Sequence, residues 1–149
     1  MLAHFLSLED LIKAQIEAKL PGIFRLVASA ADLKGVKDSL QVTPACHVIL
    51  AGLRPGVSLP RASAVAWDQT WLTVVVTRSA KDPKGGTGAR ETAGPLLSQL
   101  LSPGVLANWQ PDPGVQPLEP IAPPAPPLVT DAGTVYVPLA WRARVFAWA

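Results

Sequence analysis

Between Ser63 and Arg78 the chain alternates along a length that only an extended strand can use. Trp67, Gln69, Trp71, Thr73 and Val75 would occupy one face, and Ala66, Asp68, Thr70, Leu72, Val74 and Val76 the other. Toward Val76 both faces turn apolar, so that end should be buried twice. A second extended run, Thr134 to about Trp148, puts Val135, Val137, Leu139, Trp141 and Val145 on one side, and Tyr136, Arg142, Arg144 and Trp148 on the other.

The clearest helix comes first. Ser7 is an N-cap candidate with Asp10 in the third helical position, and Leu8, Leu11, Ile12 and Ile16 follow at helical spacing. Glu9 and Lys13 are placed to pair one turn apart, and Pro21-Gly22 stops the helix. Ile23 to Ala28 reads as a short strand and Ala30 to Leu40 as a weak helical or turn segment. Ala45 to Leu53 reads as a central strand, with Arg54-Pro55-Gly56 supplying the turn after it. Ser79 to Gly88 reads as a flexible basic loop. A helix then runs from about Thr87 or Gly88 to Leu101, and Pro95 predicts a kink or restart within it. From Pro103 to Pro127 nine prolines favour an irregular connection leading into a proline-limited edge strand. This order predicts an α+β fold, with helices packed on one face of a mixed, largely antiparallel sheet, in a single domain of 149 residues.

Composition bears on what such a domain is for. Hydrophobic residues make up 49% of the chain and charged residues 16%, with a formal net charge of +2. So apolar a chain needs cover. The strongest apolar run, Trp71 to Val76, contains Thr73 and is far too short to span a bilayer. Met1 to Leu8 lacks the basic residues and cleavage site of a secretory signal, so a cytosolic chain is expected. Neighbouring protein subunits are then the expected cover. The near balance of 13 basic and 11 acidic residues does not mark a nucleic-acid binder.

Candidate chemistry is sparse. Cys46 and His47 are adjacent, and on a strand they point to opposite faces, so they form no nucleophile and base pair. A lone cysteine offers no intramolecular disulfide and no multi-cysteine metal site. His4 lies in a terminal segment. The stretch from Lys84 to Arg90 precedes a helix, as a phosphate cradle would, but lacks the P-loop spacing and its terminal Lys-Ser/Thr. No carboxylate pair or His-acid cluster has metal or acid/base spacing. The expectation is no catalytic residue, no metal and no cofactor. Two positive groups remain as interface candidates, Lys81, Lys84 and Arg90 in one and Arg142 and Arg144 in the other, with ordinary solvated charge as the plainer reading.

Taken together, the layout resembles the tail terminator, or tail completion, family of long-tailed bacteriophages and prophages. The likeness spans nearly the whole chain. It includes the helix stop Leu20-Pro21-Gly22, the segment Ala30-Ala31-Asp32-Leu33, and Thr43-Pro44-Ala45 leading into an apolar strand to Gly52. It continues with the long strand ending Val74-Val75-Val76-Thr77-Arg78, the helix Ala93 to Leu101, Trp109 with its following prolines, and a last strand after an Asp/Gly turn. The resemblance implies a non-enzymatic virion subunit that forms a homo-oligomeric, hexameric ring at the head-proximal end of the tail. It would cap the tail tube, end tube polymerisation and offer its other side to the head-proximal connector or neck protein. Genomic DNA would pass nearby without sequence-specific binding, no membrane would be involved, and assembly would occur in the host cytoplasm. Another neck or minor tail protein of similar fold is the alternative, and a small hydrolase using Cys46 the remote one.

Overall fold

The computed structural model describes residues 5–38, 42–58, 64–78, 87–130 and 133–148. A 3-10 turn, Phe5–Ser7, leads into α1, Leu8–Lys19. Ser7 itself has helical backbone and makes no side-chain capping bond, because the 3-10 turn already continues the helix backward. Lys13 pairs with Asp10 at 3.4 Å, one position away from the expected Glu9. The helix stops where Gly22 takes a φ of +72°, a conformation that favours glycine. Then follow β1, Leu26–Ser29, α2, Leu33–Asp38, β2, Ala45–Ser58, and β3, Ala64–Arg78. Next come α3, Thr87–Leu100, β4, Glu119–Ile121, β5, Leu128–Val129, and β6, Thr134–Trp148. The loop expected at 79–88 lies outside the described residues as far as 86, and Thr87 and Gly88 open α3.

The strands form one mixed sheet in the order β1-β2-β3-β6-β4, with β5 also on β6. Among the described residues only β1 and β2 pair in parallel. The two long strands, β3 and β6, pair without a register shift from Ala64↔Trp148 to Arg78↔Thr134. The fold class is the α+β mixed sheet that the sequence suggested.

Two findings concern prolines. Arg54-Pro55-Gly56 is no turn; β2 runs on to Ser58 with irregularities between Leu50 and Gly52 and between Pro55 and Ser58. Before Ala51, even-numbered residues of β2 face β1: the carbonyls of Pro44 and Val48 accept the N–H groups of Arg25 and Ala30. The bulge at Ala51 reverses that parity, so Pro55 turns its ring nitrogen away from β3, toward a side where no described strand pairs. Proline there removes no ladder bond. At Gly56 the bulged backbone crowds β3: an added Cβ would stand 3.2 Å from the carbonyl oxygen of Ala66. The second is Pro95, where a kink or a restart was expected: it lies inside α3, which runs on without restarting. Burial of Ala93, Leu96 and Leu100 holds the helix to the sheet where the backbone ladder is interrupted.

Edge pairing of β6 follows the same logic. Gln116 N–H donates to Arg144 O, and Phe146 N–H donates to Gly114 O, so even-numbered residues of β6 direct their backbone groups outward. Pro138 is one of them. The outer ladder is interrupted there, between Ile121↔Ala140 and Leu128↔Tyr136. The proline-rich stretch thus supplies an edge in two short pieces.

Both faces of the sheet are covered at one end. On the first, Leu8, Ile12 and Ile16 of α1 and Leu96 and Leu100 of α3 pack on Cys46, Val48, Trp71, Val75, Trp141 and Val145. Val105, Leu106, Val115 and Leu118 complete this core, so the connection after α3 is part of it. Gln15 of α1 ties the layer together by donating to the carbonyls of Gly104 and Val105 at 3.1 and 2.9 Å. On the second face, Val36 of the short α2 joins Ala45, Ile49, Leu72, Val74, Val76, Tyr136 and Ala140. The two long helices share one face as expected, and α2 serves the other.

Candidate functional site

On this second face the apolar packing gives way, toward the start of β3, to a band of charge. The register lays Arg54, Asp68 and Arg144 in one row across β2, β3 and β6, and Gly52, Thr70, Arg142 and Glu119 in the next row. Side chains opposite one another on neighbouring strands stand close enough to bond directly. Arg144 Nε and Nη2 donate to the two carboxylate oxygens of Asp68 at 2.8 and 3.2 Å, and Arg142 Nη2 donates to Glu119. Asp68 is 7% exposed, a burial this fork makes tolerable. The hydrogen bond from Arg144 holds its carboxyl below the ordinary range, burial opposes that, and the charges of Arg144, Arg142 and Arg54 reinforce it. The same pair pushes the Arg144 guanidinium up from its usual value. Arg54 is exposed and forms no salt bridge among the described residues, so the band presents one unneutralised positive charge.

Beside this band lies an open groove of about 460 Å³, bounded by residues 51–54 of β2, Thr70 of β3, and Ile121, Ala122 and Pro124. Leu53, half exposed, gives it an apolar lip.

Of the residues singled out by sequence, Arg142 and Arg144 come together here, each with an acid partner. Lys81 and Lys84 lie outside the described residues, and Arg90 falls in the first turn of α3, the helix whose Leu96 and Leu100 pack on the opposite face of the sheet. Sequence reading missed Asp68, Glu119 and Arg54. The available signal was the intrusion of Asp68 and Thr70 into an otherwise apolar alternating face, and nothing local said which arginine would meet them.

Cys46 and His47 sit on opposite faces. Cys46 is fully buried in the helix-side core, where desolvation pushes its thiol up to about 12. His47 is 5% exposed among apolar neighbours, its Nε2 has no hydrogen-bond partner among the described residues, and burial lowers its pKa from 6.5. Among the described residues, no three His, Cys, Asp or Glu side chains group as metal ligands would, and no helix is long and apolar enough to cross a membrane.

The fold is shared with a chain from a solved particle described as "Virion of native gene transfer agent (GTA) particle". The two align with a TM-score of 0.52 and 15% identity, covering 94% of this chain and 95% of that one. No curated protein matches the sequence. A sheet sealed by helices on one face, with a paired-charge band and an open groove on the other, is here the architecture of a phage tail structural protein. The chain belongs to the phage tail terminator protein family, whose sequence model matches residues 1–147.

Proposed function

We propose that this protein closes into a hexameric ring on the head-proximal end of the phage tail tube, stops tube polymerisation there, and receives the head-side connector or neck protein on its other side. The observation that carries this reading is family membership over nearly the whole chain. Its physical basis is a contact surface that one copy leaves open. Heterologous contacts between identical subunits generate a ring when the rotation closes, and a cap stops growth when only one of its sides mates with the tube. In this reading the protein is not an enzyme and uses no cofactor. It is assembled in the host cytoplasm and remains in the virion, with genomic DNA passing close by without sequence-specific contact. Arg142 and Arg144, with Arg54, belong to the subunit contacts, and Lys81, Lys84 and Arg90 are candidates for a second contact.

Two measurements test the reading. Purified protein should appear in negative stain as rings with a central hole, at a mass six times the 15.7 kDa chain. A lone monomer at high concentration would refute it. Disrupting the gene should give overlong tails or polytubes, whereas finished tails without heads would assign a neck role instead.

A further inference from the structure

We propose that the outer face of α1 on one copy of this chain docks in the groove beside Arg54 on the next copy, with Glu17 meeting Arg54 across the joint, an inference that rests on the ring reading and names the contact within it. The groove lies on the sheet face opposite the one that carries α1 and α3. Gly52 and Arg54 of β2 run along one side, Thr70 lies in the floor, and Ile121, Ala122 and Pro124 run along the other side. In the sheet β2 and β4 are three strand intervals apart, roughly 14 Å, and an α-helix carrying small side chains is about 10 Å across. Gly52 bears no side chain, Thr70 bears a short one, and Arg142 is drawn across to Glu119 on β4, which keeps the floor low. A slim helix fits between these walls.

Charge narrows the occupant. Arg54 is exposed, and the acid opposite it on β3, Asp68, is already held by the Arg144 fork. Whatever covers the groove strips water from the Arg54 guanidinium, so it has to bring an acceptor, best a carboxylate. This chain carries one on a helix of the right kind. Leu8, Ile12 and Ile16 turn inward from α1, which leaves Asp10, Ala14, Glu17 and Ala18 exposed on its outer side. Asp10 pairs with Lys13, whereas Glu17 forms no salt bridge among the described residues. The two alanines beside Glu17 let the helix sit low in the groove. Among the described side chains, the outer side of α3, with Gly94, Pro95 and Ser98, offers no acid. Helix and groove stand on opposite faces of one sheet, so a copy cannot fill its own groove. Each docking leaves a helix and a groove open at the two ends of the row, and such a heterologous contact repeats until the rotation closes. Possession of both complementary surfaces favours a second copy as the occupant over a different protein.

The test is the solution mass, over a range of concentrations, of Arg54→Glu, Glu17→Arg and the double variant that exchanges the two charges. Each single reversal sets like charges face to face and should raise the concentration at which rings dissociate at least roughly tenfold, with the far-ultraviolet circular dichroism unchanged, while the double variant returns to within about threefold of wild type. Single variants that assemble as wild type overturn the assignment, and so does a double variant that stays dissociated. If a reversed chain does not fold, Glu17→Cys and Arg54→Cys proteins mixed and treated with a short bismaleimide should cross-link to each other and neither to itself, since Cys46 is buried. A mixture that yields no cross-linked pair overturns the assignment. Wild-type protein that stays a monomer at high concentration overturns the ring reading and this contact with it, a result distinct from rings that ignore both charges.

Discussion

The indole N–H of Trp141 donates to the hydroxyl of Thr73 at 2.9 Å, joining positions 68 residues apart inside the helix-side core. Its register partner Trp71 is satisfied in parallel by Gln69 Oε1, also at 2.9 Å. Thr73 and Gln69 are fully buried. The two large rings at the centre of the sheet thus each take their one polar atom into the core with an acceptor from β3, which is what permits them to be buried at all. Thr73→Val keeps the shape and strands the indole N–H. A loss of about 1–3 kcal/mol is expected in chemical denaturation, with Thr73→Ser retaining most of the stability. Equal stability of the Val variant would show that the bond contributes nothing.

Asp68 and Arg144 are the second long-range polar pair. Asp68→Ala leaves the guanidinium without its fork partner, and because the Arg144 side chain is 29% exposed, water relieves part of the cost. A loss of roughly 1–2 kcal/mol follows. The pH dependence has a definite sign. The folded carboxyl titrates below its ordinary 3.8, so its stabilisation is complete above that value and is lost as pH falls through the lower folded value. The stability gap between wild type and Asp68→Asn should therefore close on acidification below about pH 4. A gap that stays constant to low pH contradicts the pairing.

His47 gives the opposite kind of group, buried neutral. Its folded pKa lies below 6.5, so the unfolded chain binds the proton more readily, and stability falls as pH drops below 6.5 until the lowered folded value is passed. His47→Leu should flatten the slope of melting temperature against pH in that window. Parallel slopes for the two proteins would place the proton uptake elsewhere.

Cys46 decides the remote hydrolase reading. A fully buried thiol pushed up to about 12 carries no thiolate at neutral pH, so maleimide should label the denatured chain and leave the native one unmodified for hours. Cys46→Ser should cost about 1–3 kcal/mol by placing a hydroxyl in an apolar cluster, with assembly otherwise retained. Rapid native labelling would reopen the question of a reactive cysteine.

The sequence by itself determined the elements whose signal is local. The period of two in Ser63–Arg78 and Thr134–Trp148 and the helical spacing of Leu8, Ile12 and Ile16 are consequences of backbone geometry, readable without knowing the neighbours. Where the prolines would sit was legible as a limit, and how each would be tolerated was not. Pro55 could stay in β2 only because a bulge at Ala51 turns its nitrogen to an unpaired side, and Pro138 could stay in β6 because that nitrogen faces the gap between β4 and β5. The charge band is the extreme case. Arg54, Asp68, Arg144, Arg142 and Glu119 come from four strands, and their partnerships depend on strand order and register. Register is a property of pairs of strands, fixed by the packing of whole faces, so only the tertiary structure could choose which acid each arginine would meet.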